Sequence, residues 1–205
     1  MTQQPHEVIW TLTNAVVVSG GIHVVAELGV ADHIGADPVN VTELASRCGA
    51  DPEALDRVLR LLATHGVFSD VGGAYEHTEP SRLLRSDHPQ SMRAFAQMMA
   101  LPLFTATFGH LQHSLRTGST ALEQVAPEGL WPYLQAHPTQ AEIFGQAMTA
   151  KAGCDLVGRL DIVRIVLAAR KHDRRPVEKA LEIRARRKRN VCRPNVIRTP
   201  VQDRS

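Results

Sequence analysis

The run Asp51-Pro-Glu-Ala-Leu-Asp-Arg-Val-Leu-Arg-Leu-Leu-Ala-Thr-His-Gly66, with Val67-Phe68 and Tyr75 following it around Ser-Asp-Val-Gly-Gly-Ala, decides the fold. Asp51 can cap a helix, Pro52 suits its first position and Gly66 lies beyond its end. Leu55, Val58, Leu59 and Leu62 recur at three- and four-residue spacing, which predicts one apolar face. The two short β-prone stretches on either side of Gly72-Gly73 predict a hairpin. Just upstream, Asn40-Val-Thr-Glu-Leu-Ala-Ser-Arg-Cys-Gly49 predicts a shorter helix, capped by its first polar residues and ended by glycine. Helix, turn, longer helix, hairpin is the order of a winged helix.

Outward from that unit the chain stays helical. Val8, Leu12, Ala15, Val16, Ile22, Val25, Ala26 and Leu28 predict two helices, or one bent at Gly20-Gly21. Further valines between those positions make the surface apolar on more than one side, which points to burial against a partner subunit. Downstream, helices are predicted over Pro80 to Arg85, Ser91 to Met99 and Phe104 to Arg116, with Pro102 as a break. Pro132 and Pro138 punctuate two more, and Pro138 fits the first turn of a helix running to Lys151. The fold class is mainly α with one small β-hairpin wing.

An apolar content of 43% suffices for a core, and the 4% aromatic share leaves burial to Ala, Val, Leu and Ile. Cys48, Cys154 and Cys192 are too scattered for a disulfide framework or a zinc ribbon, and favour a reducing cytoplasm. Met1 to Glu7 has no basic start, and Ser19, His23 and Glu27 interrupt the apolar stretch after Ala15, so neither a signal peptide nor a membrane span is expected. The charge is divided sharply. Residues 1–150 carry seven cationic against fifteen acidic side chains, a balance of minus 8, and no lysine; residues 151–205 carry sixteen against six, a balance of plus 10. This divides the chain into a domain over 1–151 and a basic segment over 152–205 that holds no complete domain, partly helical or disordered.

Several ordered patterns resemble the N-terminal dimerisation domain of the S-adenosylmethionine-dependent O-methyltransferases, the family of plant caffeate-type and bacterial polyketide and carotenoid enzymes. They are Val25-Ala-Glu-Leu-Gly-Val-Ala-Asp-His-Ile34, Thr42-Glu-Leu-Ala45, Asp51-Pro-Glu-Ala-Leu55 with Arg57, Leu59, Arg60 and Leu62, Gly66-Val-Phe68, Gly109-His-Leu111 and Phe144-Gly-Gln-Ala-Met-Thr149. The resemblance implies a homodimer entwined through residues 5–35 and the helices after 90. It also implies apolar side chains lent to the wall of an acceptor pocket, and methyl transfer to a hydroxyl of a small aromatic or polyketide-like molecule. In that family a second domain binds the methyl donor through a glycine-rich loop and supplies a histidine base.

No such loop follows Lys151: residues 152–205 offer only Gly153 and Gly158, and His172 as the sole histidine. Asp70-Val-Gly-Gly-Ala-Tyr75 has two glycines but suits a wing turn better than a cofactor turn. The expectation is therefore a member or remnant of such an enzyme, with no catalytic or cofactor-binding residue in this chain and no donor bound by it. Three accounts of the basic segment stand open: out-of-frame sequence from a GC-rich gene, an electrostatic grip through Arg184-Ala-Arg-Arg-Lys-Arg189 on nucleic acid or an anionic surface, or a helix docking through Leu156, Leu160, Val163 and Leu167. The alternative function is a winged-helix transcriptional regulator. Against it, Asp51, Glu53 and Asp56 crowd the end of the helix that would enter a groove, so no specific nucleic acid is expected. His110 and His113 lie three apart but lack a third ligand, so no metal is expected. Met99 and Phe108, within a Met- and Phe-rich stretch, are the candidate substrate-lining residues.

Overall fold

A computed structural model describes residues 4–152. The basic segment expected from 152 onward lies, but for its first residue, outside them. The domain is mainly helical with a small β-wing, as the sequence predicts, and the sheet is antiparallel with three strands.

Helix α1 (Pro5–Leu28) runs without interruption through Gly20 and Gly21, where a bend was expected, and ends at Gly29 with φ 66°. Gly21 packs instead of bending. It is buried against the longer helix, where a Cβ would lie in ordinary contact, 3.4 Å from a Val58 methyl and 3.5 Å from Leu62. A short 3-10 turn (Val30–His33) leads to strand β1 (Val39–Asn40), α2 (Val41–Cys48) and α3 (Pro52–Thr64). The caps follow the sequence. Asn40 accepts from the Thr42 amide at 2.9 Å and Asp51 from the Ala54 amide at 2.8 Å, each satisfying an otherwise unpaired first-turn donor.

The wing is β2 (Phe68–Asp70) and β3 (Ala74–His77), pairing Phe68 with His77 and Asp70 with Tyr75. Gly72 and Gly73 both have positive φ, at 65° and 85°, the two-residue turn that only glycine-like residues form without strain. β1 adds to the other edge of β3, giving the order β1-β3-β2. The sequence did not predict it: two residues are too few to show a period.

Beyond the wing, α4 (Glu79–Arg82) is a single turn capped by Thr78, shorter than expected, and α5 (Arg93–Ala100) follows. The helix predicted over 104–116 is two: α6 (Pro102–Gly109) and α7 (Leu111–Thr117), divided at His110. A 3-10 turn (Ala121–Gln124), α8 (Leu130–Ala136) and α9 (Pro138–Ala152) complete the described chain.

Two cores result. The first joins Val25, Val30, Ile34, Leu44, Leu55, Leu59, Leu62, Phe68 and Tyr75; the second joins Met98, Leu101, Leu103, Phe104, Leu134 and Phe144. Helix α5 belongs to both, through Ala96 on one side and Met98 on the other.

One junction of the first core titrates. His77 donates from Nε2 to the Ile34 carbonyl at 3.2 Å, an oxygen that also accepts from Arg85 at 3.2 Å, and its Nδ1 lies 2.9 Å from the Ser81 hydroxyl. Burial, then the nearby Arg82 cation, pushes its pKa below the ordinary 6.5 against the upward pull of the Ile34 carbonyl, and Arg85 adds to the depression. The unfolded chain therefore takes up this proton first as pH falls. The stability His77 confers is complete above about pH 6.5 and is lost as pH drops through the lower folded value. Burial lowers His23 as well. His77→Gln should consequently flatten, without abolishing, the acid-side fall in stability measured by chemical denaturation. Identical slopes for variant and wild type would assign that fall elsewhere.

Candidate functional site

The most unusual surface is on α1. From Pro5 to Val17 every residue is exposed. Val8, Ile9, Trp10, Leu12, Val16, Val17 and Val24 are large apolar side chains in contact with water, Trp10 at 72% exposure and Val16 at 73%. At 100° per residue they span an arc of about 200°, twice the stripe of an ordinary surface helix. Only the far end is packed, through Gly21, Val25 and Ala26. No lysine or arginine occurs on the helix, and its acidic residues, Glu7 and Glu27, lie near its ends. Side-chain polarity is partly absorbed locally: Asn14 donates to the Trp10 carbonyl at 2.9 Å, and Ser19 meets His23 at 3.1 Å.

Length and a mean hydropathy of 1.6 would also let α1 cross a bilayer. Geometry argues otherwise. The free part covers 13 residues, about 20 Å at 1.5 Å per residue, against about 30 Å of hydrocarbon. The remainder is committed to the first core.

What holds α1 at its base was not legible in the sequence. The last carbonyls of a helix lack internal partners, and α1 has no basic residue in its final turn. Arg93, from α5, supplies one. Its Nε donates to the Ala26 carbonyl at 2.8 Å and its Nη1 to Asp32 at 2.6 Å, while Asp32 also accepts from the Ser86 amide at 2.7 Å. Gln97, one turn on, donates to the same Ala26 carbonyl at 3.4 Å. Arg93 and Asp32 are 61 residues apart, so no local pattern announces the pair.

The other candidates fall as follows. Met99 lies in the last turn of α5 and Phe108 on α6; both are half-buried and pack on the second core, so the fold brings them to one cluster. His110 is exposed at the α6–α7 junction and His113 half-buried, and among the described residues no three potential ligands converge. The Asp70–Tyr75 segment is the wing turn, its Gly73 amide donating to the Asp70 carboxylate at 2.9 Å. Tyr75 is buried and donates to Asp56 at 2.7 Å, and Asp56 is also ion-paired with Arg60. Helix α3 thus spends a cation on its own carboxylate and presents Asp51 and Glu53 at its N-terminus, so DNA binding is not favoured.

A sequence model of the O-methyltransferase dimerisation domain matches residues 10–87. The chain is similar to the phenazine O-methyltransferase PhzM of Lysobacter antibioticus, 36% identical over 131 residues, which are 63% of this chain and 38% of that protein. Among solved structures, LaPhzM superposes with a TM-score of 0.68 at 31% identity, covering 73% of this chain and 45% of that one. An O-methyltransferase of neocarzinostatin biosynthesis, NcsB1, in complex with S-adenosylmethionine and 2-hydroxy-5-methyl naphthoic acid, matches with a TM-score of 0.54 at 34% identity over 65% of this chain and 42% of that one. The chain spans less than half the length of the curated relatives it matches.

Proposed function

Because the chain carries the O-methyltransferase dimerisation domain over residues 10–87, we propose that it is the self-associating scaffold of a cytoplasmic S-adenosylmethionine-dependent O-methyltransferase acting on a hydroxyl of a small aromatic or polyketide-like acceptor. Residues 1–151 form the dimerising domain, Met99 and Phe108 contribute to the acceptor wall, and methyl transfer requires a donor-binding domain beyond it. The observation that carries the proposal is the water-exposed apolar arc of α1. Covering the exposed part of seven such side chains contributes about 1–2 kcal/mol each, on the order of 10 kcal/mol per copy. A symmetric pair contributes twice, which exceeds the roughly 4–15 kcal/mol cost of association.

Sedimentation equilibrium of the purified chain should show a dimer at micromolar concentration, and titration with S-adenosylmethionine in a calorimeter should show no saturable heat. A concentration-independent monomer would remove the scaffold reading. Saturable donor binding would instead assign this chain a catalytic part of its own. Duplex DNA serves as the control for the regulator reading: binding that disappears when residues 152–205 are deleted is nonspecific charge attraction.

A further inference from the structure

Resting on the dimer reading above, we infer that Arg93 and Gln97 are positioning residues that set the direction in which α1 leaves the domain, and so set dimer affinity. Apolar packing of Gly21, Val25 and Ala26 holds the base of this helix in the first core, and Arg93 at 2.8 Å and Gln97 at 3.4 Å hold its Ala26 carbonyl. Apolar packing is non-directional, whereas donors aimed at one carbonyl fix a direction. The guanidinium is itself fixed by Asp32 at 2.6 Å and sits where a side chain at residue 29 would be, 3.0 Å from an ideal Cβ on Gly29. The left-handed glycine that ends α1 therefore also makes room for the group that orients it.

Leverage makes the clamp matter. The free end of α1 lies about 30 Å from Ala26, so a tilt of about 10° at the base carries the Pro5 end about 5 Å, one helical pitch. A displacement that large takes the apolar arc out of register with a partner copy. If loss of the clamp leaves about one chain in ten correctly directed, the apparent dissociation constant rises about tenfold for each copy, and about a hundredfold for a pair that needs both.

The test uses the full chain with Trp131→Phe, so that Trp10 is the only fluorophore of its kind. Arg93→Met and Gln97→Leu are compared with Leu59→Ala, which loosens the core without touching the clamp. The clamp variants should raise the dimer dissociation constant by about tenfold to a hundredfold. At concentrations where every chain is monomeric, they should also speed the local anisotropy decay of Trp10, whereas Leu59→Ala should leave that decay unchanged at temperatures where it remains folded. Arg93→Lys keeps the charge but cannot reach both oxygens, and should fall between; should Arg93→Met fail to fold, it and Gln97→Leu carry the comparison. A dimeric wild type whose affinity and Trp10 decay are unmoved in these variants overturns the clamp and leaves the dimer standing. A monomeric wild type overturns the dimer reading itself.

Discussion

Trp10→Asp should convert the dimer to monomers, raising its dissociation constant about a thousandfold. Trp10 buries little of itself in the isolated domain, with 72% of its surface open to water, so its replacement costs the monomer almost nothing. In a two-fold symmetric pair each copy would place this ring, and then this carboxylate, against the other. An aromatic anchor at the centre of an interface is worth about 2 kcal/mol or more when truncated. Doubled by symmetry, that becomes about three powers of ten in affinity. Light scattering after size exclusion, with far-ultraviolet dichroism to verify unchanged helicity, checks the outcome. An aspartate variant that dimerises as tightly as wild type would mean that the apolar arc of α1 is covered by something other than a second copy.

Leu59→Ala is expected to cost about 2–5 kcal/mol of folding stability, whereas Leu61→Ala, two positions along the same helix, should cost less than about 1.5 kcal/mol. Leu59 is completely buried in the first core, and its removal leaves a void that the surrounding core cannot fill without moving. Leu61 lies off that face and is only partly buried. Denaturant melts monitored by dichroism measure both. Because self-association stabilises the folded state by mass action, the two variants must be compared with wild type at one protein concentration. Equal losses at the two positions would mean that α3 is not packed by the face described.

Most of the first core is legible because its signals are local. Asp51 and Pro52 start α3, Gly49 ends α2 with φ 66°, and the paired glycines 72 and 73 close the wing; each operates within a few residues of itself. The leucine stripe of α3 is equally plain, since its period is written in one stretch. Failure sets in where the cause lies elsewhere in the chain. Gly20-Gly21 resembles a bend in isolation, and only the approach of α3 reveals Gly21 as a packing residue. His110 divides one helix from the next, and Gly109 before it, inside a helical pattern, does not by itself announce the break. The candidate interface was visible as valines in excess of a single face. The residues that hold its helix in place were not, because Arg93, Asp32 and Ala26 meet only through the fold.

The sharing of α5 between the two cores has a consequence for inheritance. Eight residues, Arg93–Ala100, place Ala96 in one hydrophobic cluster and Met98 in the other, and also supply the guanidinium that anchors α1. A genetic crossover within this helix would hand each descendant a splice point common to both halves, mismatched to at least one of them. Recombination among relatives is therefore expected to be penalised inside α5 and better tolerated on either side of it, so these eight residues should pass between lineages as one unit.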